Sequence, residues 1–256
     1  MNLIVISELF PPEETSTAYI MGEITKTLSD KYNVTIVCGP EVYDQNKLTV
    51  LPKSSLIAGV TTIRVKGIKE NKANKLSRIR KFLLMSWRLY KASKKVINKG
   101  DKVLLVSNPF PLLILMAFHR KKMDYEISFL AHDLFPEPLL MRFKLPNLVY
   151  RQCLNIFNRS YARMDKIISL GRDMTDVLRE KTMPYNPNLE IIQIENWGDI
   201  NSIYPMDTHS DSDKITIEYA GNMGKSQKLD ALIEIFSKAN NKDLYLDFWG
   251  TGEQES

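Results

Sequence analysis

Along the chain, short runs of β-branched and aliphatic residues alternate with longer segments whose apolar positions recur at helical period. The runs lie at 3–7, 34–38, 61–65, 102–107, 125–130, 166–169 and 191–194. Helical patterns at 18–31, 76–97, 111–121, 146–163 and 172–181 lie in five of the six intervals. Apolar strands separated by amphipathic helices mark βαβ units, because parallel strands are buried on both faces and each return crossing needs a helix. The pattern predicts an α/β protein with one open, doubly wound parallel sheet over residues 1–195.

The pattern lapses in "NWGDINSIYPMDTHSDSDK", where Asp, Ser, Asn and Pro crowd together without a period, so 196–213 is predicted to be a linker. A second βαβ follows, with a strand at 214–220, a helix beginning near Gln227 and a strand at 243–249. One βαβ cannot close a core, since a parallel sheet needs several strands and two helical layers. Residues 214–256 therefore read as the opening of a second domain. No internal repeat or low-complexity tract interrupts the chain.

Composition narrows the class. With 44% hydrophobic and 25% charged residues, the 256-residue chain has the material for a real core. The start "MNLIVISELF" has no basic region before its apolar run, which reads as a first strand rather than a secretion signal, and a cytoplasmic location is expected. The apolar stretch "PFPLLILMAF" is too short to cross a bilayer. Cys38 and Cys153 stand far apart with no CxxC, which suits structural thiols rather than a disulfide or zinc site.

The net charge of +5 is unevenly spread: residues 71–100 hold ten Lys or Arg and no acidic residue. On a helical wheel of 76–97, Ile79, Phe82, Leu83, Tyr90 and Ile97 form one stripe, with Arg80, Lys81, Arg88, Lys91 and Lys95 opposite and Leu84 among them. The basic side is either a solvated surface or an attachment to anionic membrane, peripheral on its inner face. Nucleic acid fits poorly, because no aromatic platforms are interleaved.

In open α/β sheets ligands bind beyond the carboxyl ends of the strands. After the first strand, "SELFPPEETSTA" offers Glu8, Thr15 and Ser16, where either Thr15 or Ser16 caps a helix or the loop meets a ligand. After the fifth, "FLAHDLFPE" places His132 and Asp133 in sequence. A histidine there can bond a substrate hydroxyl, while the adjacent carboxylate points to another face and forms no simple dyad with it. His119, in "HRKK" at a helix end, is accounted for by charge at the helix dipole. Gly221, Asn222, Gly224, Lys225 and Lys228 make a cationic glycine turn ahead of a helix, suited to a diphosphate. No Walker loop occurs, and "WGTGEQE", with Gly250 and Gly252, is not a full GxGxxG.

In chain order "PPEETSTAYIMGEI", "VSNPF", "AHDLFPE", "IISLGRDM", "ENWGD", "YAGNMGKSQKLD" and "FWGTGE" resemble the motifs of family 4 glycosyltransferases. The nearest likeness is to bacterial enzymes that add amino sugars in capsule and O-antigen assembly. The resemblance implies a GT-B fold of two Rossmann-like domains, with retaining transfer from a nucleotide-sugar, such as a UDP-sugar, and no metal or other cofactor. It implies that 221–225 approaches the donor diphosphate, with Lys225 as the basic residue and Lys228 as a second. His132, beside Asp133, would contact the donor sugar, and the loop through Thr15 and Ser16 would close on donor or acceptor. The acceptor would be a lipid-linked saccharide.

Such enzymes carry two glutamates spaced eight apart deep in the second domain, and this chain ends before that point; Glu253 and Glu255 are no substitute. A fragment, a second polypeptide supplying the rest of the donor domain, or an inactive product are the expectations. The competing reading is a non-catalytic, membrane-docking acceptor module that recruits a donor-binding partner.

Overall fold

A computed structural model of the chain describes residues 1–13, 15–41, 57–69, 75–137, 146–198, 203, 214–224, 227–239 and 241–252. They form two compact units, 1–197 and 198–256. The first contains β1 (Asn2–Ser7), α1 (Ser16–Ser29), β2 (Asn33–Cys38), β3 (Val60–Arg64), α2 (Lys75–Ser93), β4 (Lys102–Val106), α3 (Pro111–Arg120), β5 (Glu126–Ala131), α4 (Asn147–Tyr161), β6 (Lys166–Ser169), α5 (Arg172–Thr182) and β7 (Glu190–Gln193). Every strand and helix expected from the pattern is present, with ends moved by a few residues.

The seven strands form one parallel sheet in the order β3-β2-β1-β4-β5-β6-β7. Alternate side chains divide between its faces. Ile4, Ile6, Leu105, Phe129 and Ile167 pack with Met85 and Leu89 of α2, Leu112 and Met116 of α3, Phe157 of α4 and Leu178 of α5. Leu3, Val5, Val34, Ile36 and Leu104 pack with Met21 of α1 on the other face. Strand order reverses between β1 and β4, and the crevice outside their carboxyl ends is the topological switch point. Tight packing also fixes the loop after β1: a Cβ on Gly39 would lie 2.4 Å from the Glu8 carbonyl oxygen.

Helix α2 departs from the sequence wheel. Lys81, expected on the outward face, is buried. Arg88 donates to the carbonyls of Lys66 and Gly67 at 2.6 and 2.9 Å, so it holds a loop rather than facing outward freely. Ile79 and Leu83, expected in the core, are exposed, while Met85 and Leu89 occupy it. Helix α2 ends at Ser93, short of Ile97. Among the described residues no helix is long and apolar enough to cross a membrane.

The second unit contains β8 (Ile215–Ala220), α6 (Leu229–Ser237) and β9 (Leu244–Trp249), with β8 and β9 parallel. Ile215, Ile217, Tyr245, Trp249, Ile233 and Ile235 are exposed on it.

Cys38 is buried and Cys153 half-buried, both as free thiols, and burial pushes the Cys38 thiol up to about 11. His119 lies in the last turn of α3, as expected, but not as a charge. It is buried, with Nδ1 3.2 Å from Tyr125 Oη and its ring edge-on to Tyr90. Burial, then Lys94 and Lys122, lower its pKa and hold it neutral. A folded-state pKa below the unfolded value of about 6.5 means that the unfolded chain binds the extra proton first as pH falls. Stability is therefore expected to decline as pH falls through that value, and His119→Gln should reduce the decline in urea titrations between neutral and mildly acidic pH.

Candidate functional site

At the carboxyl ends of the central strands, loops are joined in a row. Gly39 N–H donates to the Glu8 carbonyl at 3.0 Å, Glu8 N–H to the Asn108 carbonyl at 3.4 Å, and Asn108 Nδ2 to Asp133 Oδ2 at 2.8 Å. This links the ends of β2, β1, β4 and β5 across the switch point. Ser107, itself buried, accepts the backbone N–H groups of both His132 and Asp133 at 3.2 Å. A strand end leaves such donors without ladder partners, and a short hydroxyl from the neighbouring strand satisfies two of them.

The loop beyond His132 is held as firmly. Phe135 N–H donates to the buried Tyr161 hydroxyl at 3.0 Å, and Phe135 stacks on Phe110 at 4.8 Å between ring centroids. Glu137 pairs with Lys181, a buried lysine on α5. On the other side of the switch point, Arg64 donates to the carbonyls of Pro11 and Gly39. The result is a polar rim on rigid supports, the arrangement a binding site needs.

Within that rim His132 stands out. It is half-buried, and its Nε2 is fully shielded and has no hydrogen-bond partner among the described residues. Burial lowers its pKa, with Asp133 opposing, so near neutrality the ring is neutral, with one nitrogen a donor and the other an acceptor. Buried polar atoms are nearly always paired, so Nε2 is an exception, and a substrate hydroxyl would satisfy it on a turn of the ring towards the rim. Asp133 is exposed and its carboxylate is engaged by Asn108, so the two neighbours act separately.

Thr15 is the N-cap of α1, with Oγ1 accepting Ala18 N–H at 3.2 Å, while Ser16 is exposed in the first turn. Of the two capping options the geometry selects Thr15. Ser107, Asn108, Tyr161 and Lys181 have structural roles that no local pattern reveals. "VSNPF" is visible as a motif, but the bonds of its Ser and Asn reach residues 25 to 26 positions away.

In the second unit the turn after β8 is zipped to the turn after β9: Gly221 N–H donates to the Trp249 carbonyl at 2.8 Å and Met223 N–H to the Thr251 carbonyl at 2.9 Å. The approach leaves no room for side chains. A Cβ on Gly250 would lie 1.8 Å from Gly221 O, and one on Gly252 2.4 Å from Met223 O. Gly250 and Gly252 are thus explained by packing. Tyr219 Oη donates to the Asn222 carbonyl at 3.0 Å, and Gln227 N–H to the Gly224 carbonyl at 3.0 Å, which fixes the turn.

Lys228 is the N-cap of α6, with φ 51° and ψ 45° and no side-chain cap bond. It is the one non-glycine residue with positive φ among the described residues. A lysine in left-handed backbone at the positive end of a helix dipole is unfavourable on both counts, although Asp230 in the first turn answers part of the dipole. Strain of this kind persists where surrounding structure enforces it. Lys225 lies outside the described residues.

No family model matches the chain. In sequence it is 23% identical over 265 residues to a probable glycosyltransferase, WbjE, of Pseudomonas aeruginosa, an alignment covering 98% of this chain and 63% of that protein. The chain thus spans under two thirds of the length of that curated relative. In structure it is similar to the N-terminal domain of trehalose-6-phosphate phosphatase of Candida albicans, with TM-score 0.65, 13% identity and coverage of 98% of this chain and 64% of that one. It is also similar to a trehalose-6-phosphate protein of E. coli solved with bound UDP-2-fluoro glucose, with TM-score 0.61, 12% identity and coverage of 100% and 66%. The fold is that of a GT-B N-terminal domain with the first βαβ of a second Rossmann-like domain.

Ser107→Ala should leave two backbone donors at the site unpaired, at a cost of about 1–3 kcal/mol. The measurements are urea unfolding and hydrogen exchange at the His132 and Asp133 amides; unchanged protection there would remove Ser107 from its supporting role.

Proposed function

We propose that the chain is the acceptor-side domain, with the start of the donor-binding domain, of a glycosyltransferase of the family 4 type. It moves a sugar from a nucleotide-sugar to a lipid-linked saccharide in surface polysaccharide assembly, with retention and without a metal. The observation that carries the reading is His132, a neutral histidine with a shielded, unpartnered Nε2 at the end of β5, one strand from the switch point of a GT-B sheet. The sequence likeness to a probable glycosyltransferase and the fold likeness to a UDP-sugar-bound protein point the same way.

In this reading the bond between the sugar and the nucleotide diphosphate breaks as an acceptor hydroxyl attacks the same face of the sugar; a glycosidic bond forms to the acceptor oxygen and its proton passes to the departing diphosphate. Negative charge develops on the departing diphosphate, and stabilising that charge is the largest task of such a site. In the second unit, amides at the start of α6 and the charges of Lys228 and Lys225 suit it. In the first unit, His132 bonds a substrate hydroxyl. Asp133, occupied by Asn108, holds the loop rather than moving a proton. The Thr15–Ser16 turn closes over the substrates.

Donor binding is tested by calorimetry with UDP-sugars on a chain carrying a complete second domain. His132→Ala should lower turnover at least about tenfold while changing donor affinity less, because a contact that tightens in the transition state shows mainly in rate. Full activity would return His132 to a structural role. Lys228→Gly separates charge from strain: it relieves the left-handed backbone, so thermal stability should hold or rise, while donor binding weakens by about 1.5–3 kcal/mol. Unchanged donor affinity would take Lys228 out of the site.

A further inference from the structure

Helix α2 is apolar on both sides. Met85 and Leu89 are buried against the sheet, and the opposite side carries Leu76, Ile79, Leu83, Leu84 and Trp87, which are 75%, 37%, 55%, 40% and 49% exposed. Their spacing puts all five on one outward stripe. Interleaved and continuing beyond them are Arg80, Lys91, Lys94 and Lys95, all exposed, and Lys91 Nζ sits 5.9 Å over the Trp87 ring. Residues 71–100 contain no acidic side chain. An ordinary surface helix is polar where this one is aliphatic, and a clustered apolar stripe is a contact surface.

Charge decides what it contacts. A second copy of the chain meeting this stripe would set its cations against an identical set. An anionic bilayer answers both features, since aliphatic side chains enter the boundary between headgroups and acyl chains while ammonium and guanidinium groups meet phosphates. Tryptophan is favoured at that depth. We infer that α2 lies flat on an anionic membrane, with Leu76, Leu83 and Trp87 inserted and Arg80, Lys91 and Lys95 at the headgroups. The seat is apolar as well as electrostatic. Lys81 and Arg88 take no part, being buried and engaged with loop carbonyls respectively. The inference rests on the proposed lipid-linked acceptor only for its use, and it is tested without donor or acceptor.

The test is sedimentation of the full chain with phosphatidylcholine vesicles and with vesicles containing about a third phosphatidylglycerol, across a salt series. Binding is expected on the anionic vesicles, at least about tenfold weaker on the neutral ones, and only partly released by salt. Leu83→Ser with Trp87→Ser should weaken it about tenfold or more with an unchanged circular dichroism spectrum. Arg80→Gln, Lys91→Gln and Lys95→Gln together should weaken it by a similar factor and flatten its salt dependence. Three results overturn the proposal: no recovery on anionic vesicles, recovery indifferent to the Leu83 and Trp87 substitutions, or a dimer in sedimentation equilibrium that those substitutions dissolve.

Discussion

The Ser107 hydroxyl joins the sheet to the site. A parallel sheet buried on both faces carries few polar side chains away from its rim, and at the rim each strand end leaves backbone donors without ladder partners. Ser107 takes two of them at the end of β5 and thereby sets where His132 begins. Asn108, the next residue, takes Asp133. A two-residue stretch at the end of β4 thus determines the backbone path of one candidate group and the side-chain engagement of the other.

Rigidity in the second unit comes from absence of bulk rather than from side-chain bonds. The turns after β8 and β9 approach so closely that the carbonyls of Gly221 and Met223 occupy the space a Cβ would take at positions 250 and 252. Farther along, Lys228 at the start of α6 takes a left-handed conformation that its side chain disfavours. The chemistry assigned to the glycine turn rests on a scaffold whose reason is steric.

Much of this is legible in the sequence. Strands and helices follow from apolar runs and helical periods because burial on both faces leaves an unambiguous imprint on parallel strands. The place of His132 and Asp133 follows too, since a polar pair after an apolar strand has to sit at the sheet rim. Their support does not. Ser107, Tyr161 and Lys181 act across distances of 25 to 44 residues, and nothing local marks a serine that accepts two amides or a lysine that is buried to meet Glu137. Sequence places His119 correctly at a helix end but misreads its role for the same reason: its neighbours along the chain are cations, but Tyr125 and Tyr90 surround its ring.

Helix α2 shows where periodicity stops being enough. The spacing of apolar residues identifies the buried side of a helix only when one side is apolar, and α2 has two apolar sides, with cations at positions that serve either orientation. Choosing between them requires knowing what lies next to the helix. Phe82 meets Phe110 at 5.2 Å and Tyr90 meets the His119 ring at 5.8 Å, and these contacts with α3 and the residue before it turn α2 so that Met85 and Leu89 face inward. Once that rotation is set, Lys81 goes in with them and Leu83 and Trp87 go out. An outward aliphatic stripe is costly in water unless something covers it, whereas a stripe of cations alone is not. The rotation therefore changes the physical basis of any attachment on this face, from surface charge attracting a distant counterpart to apolar area that must be buried at contact.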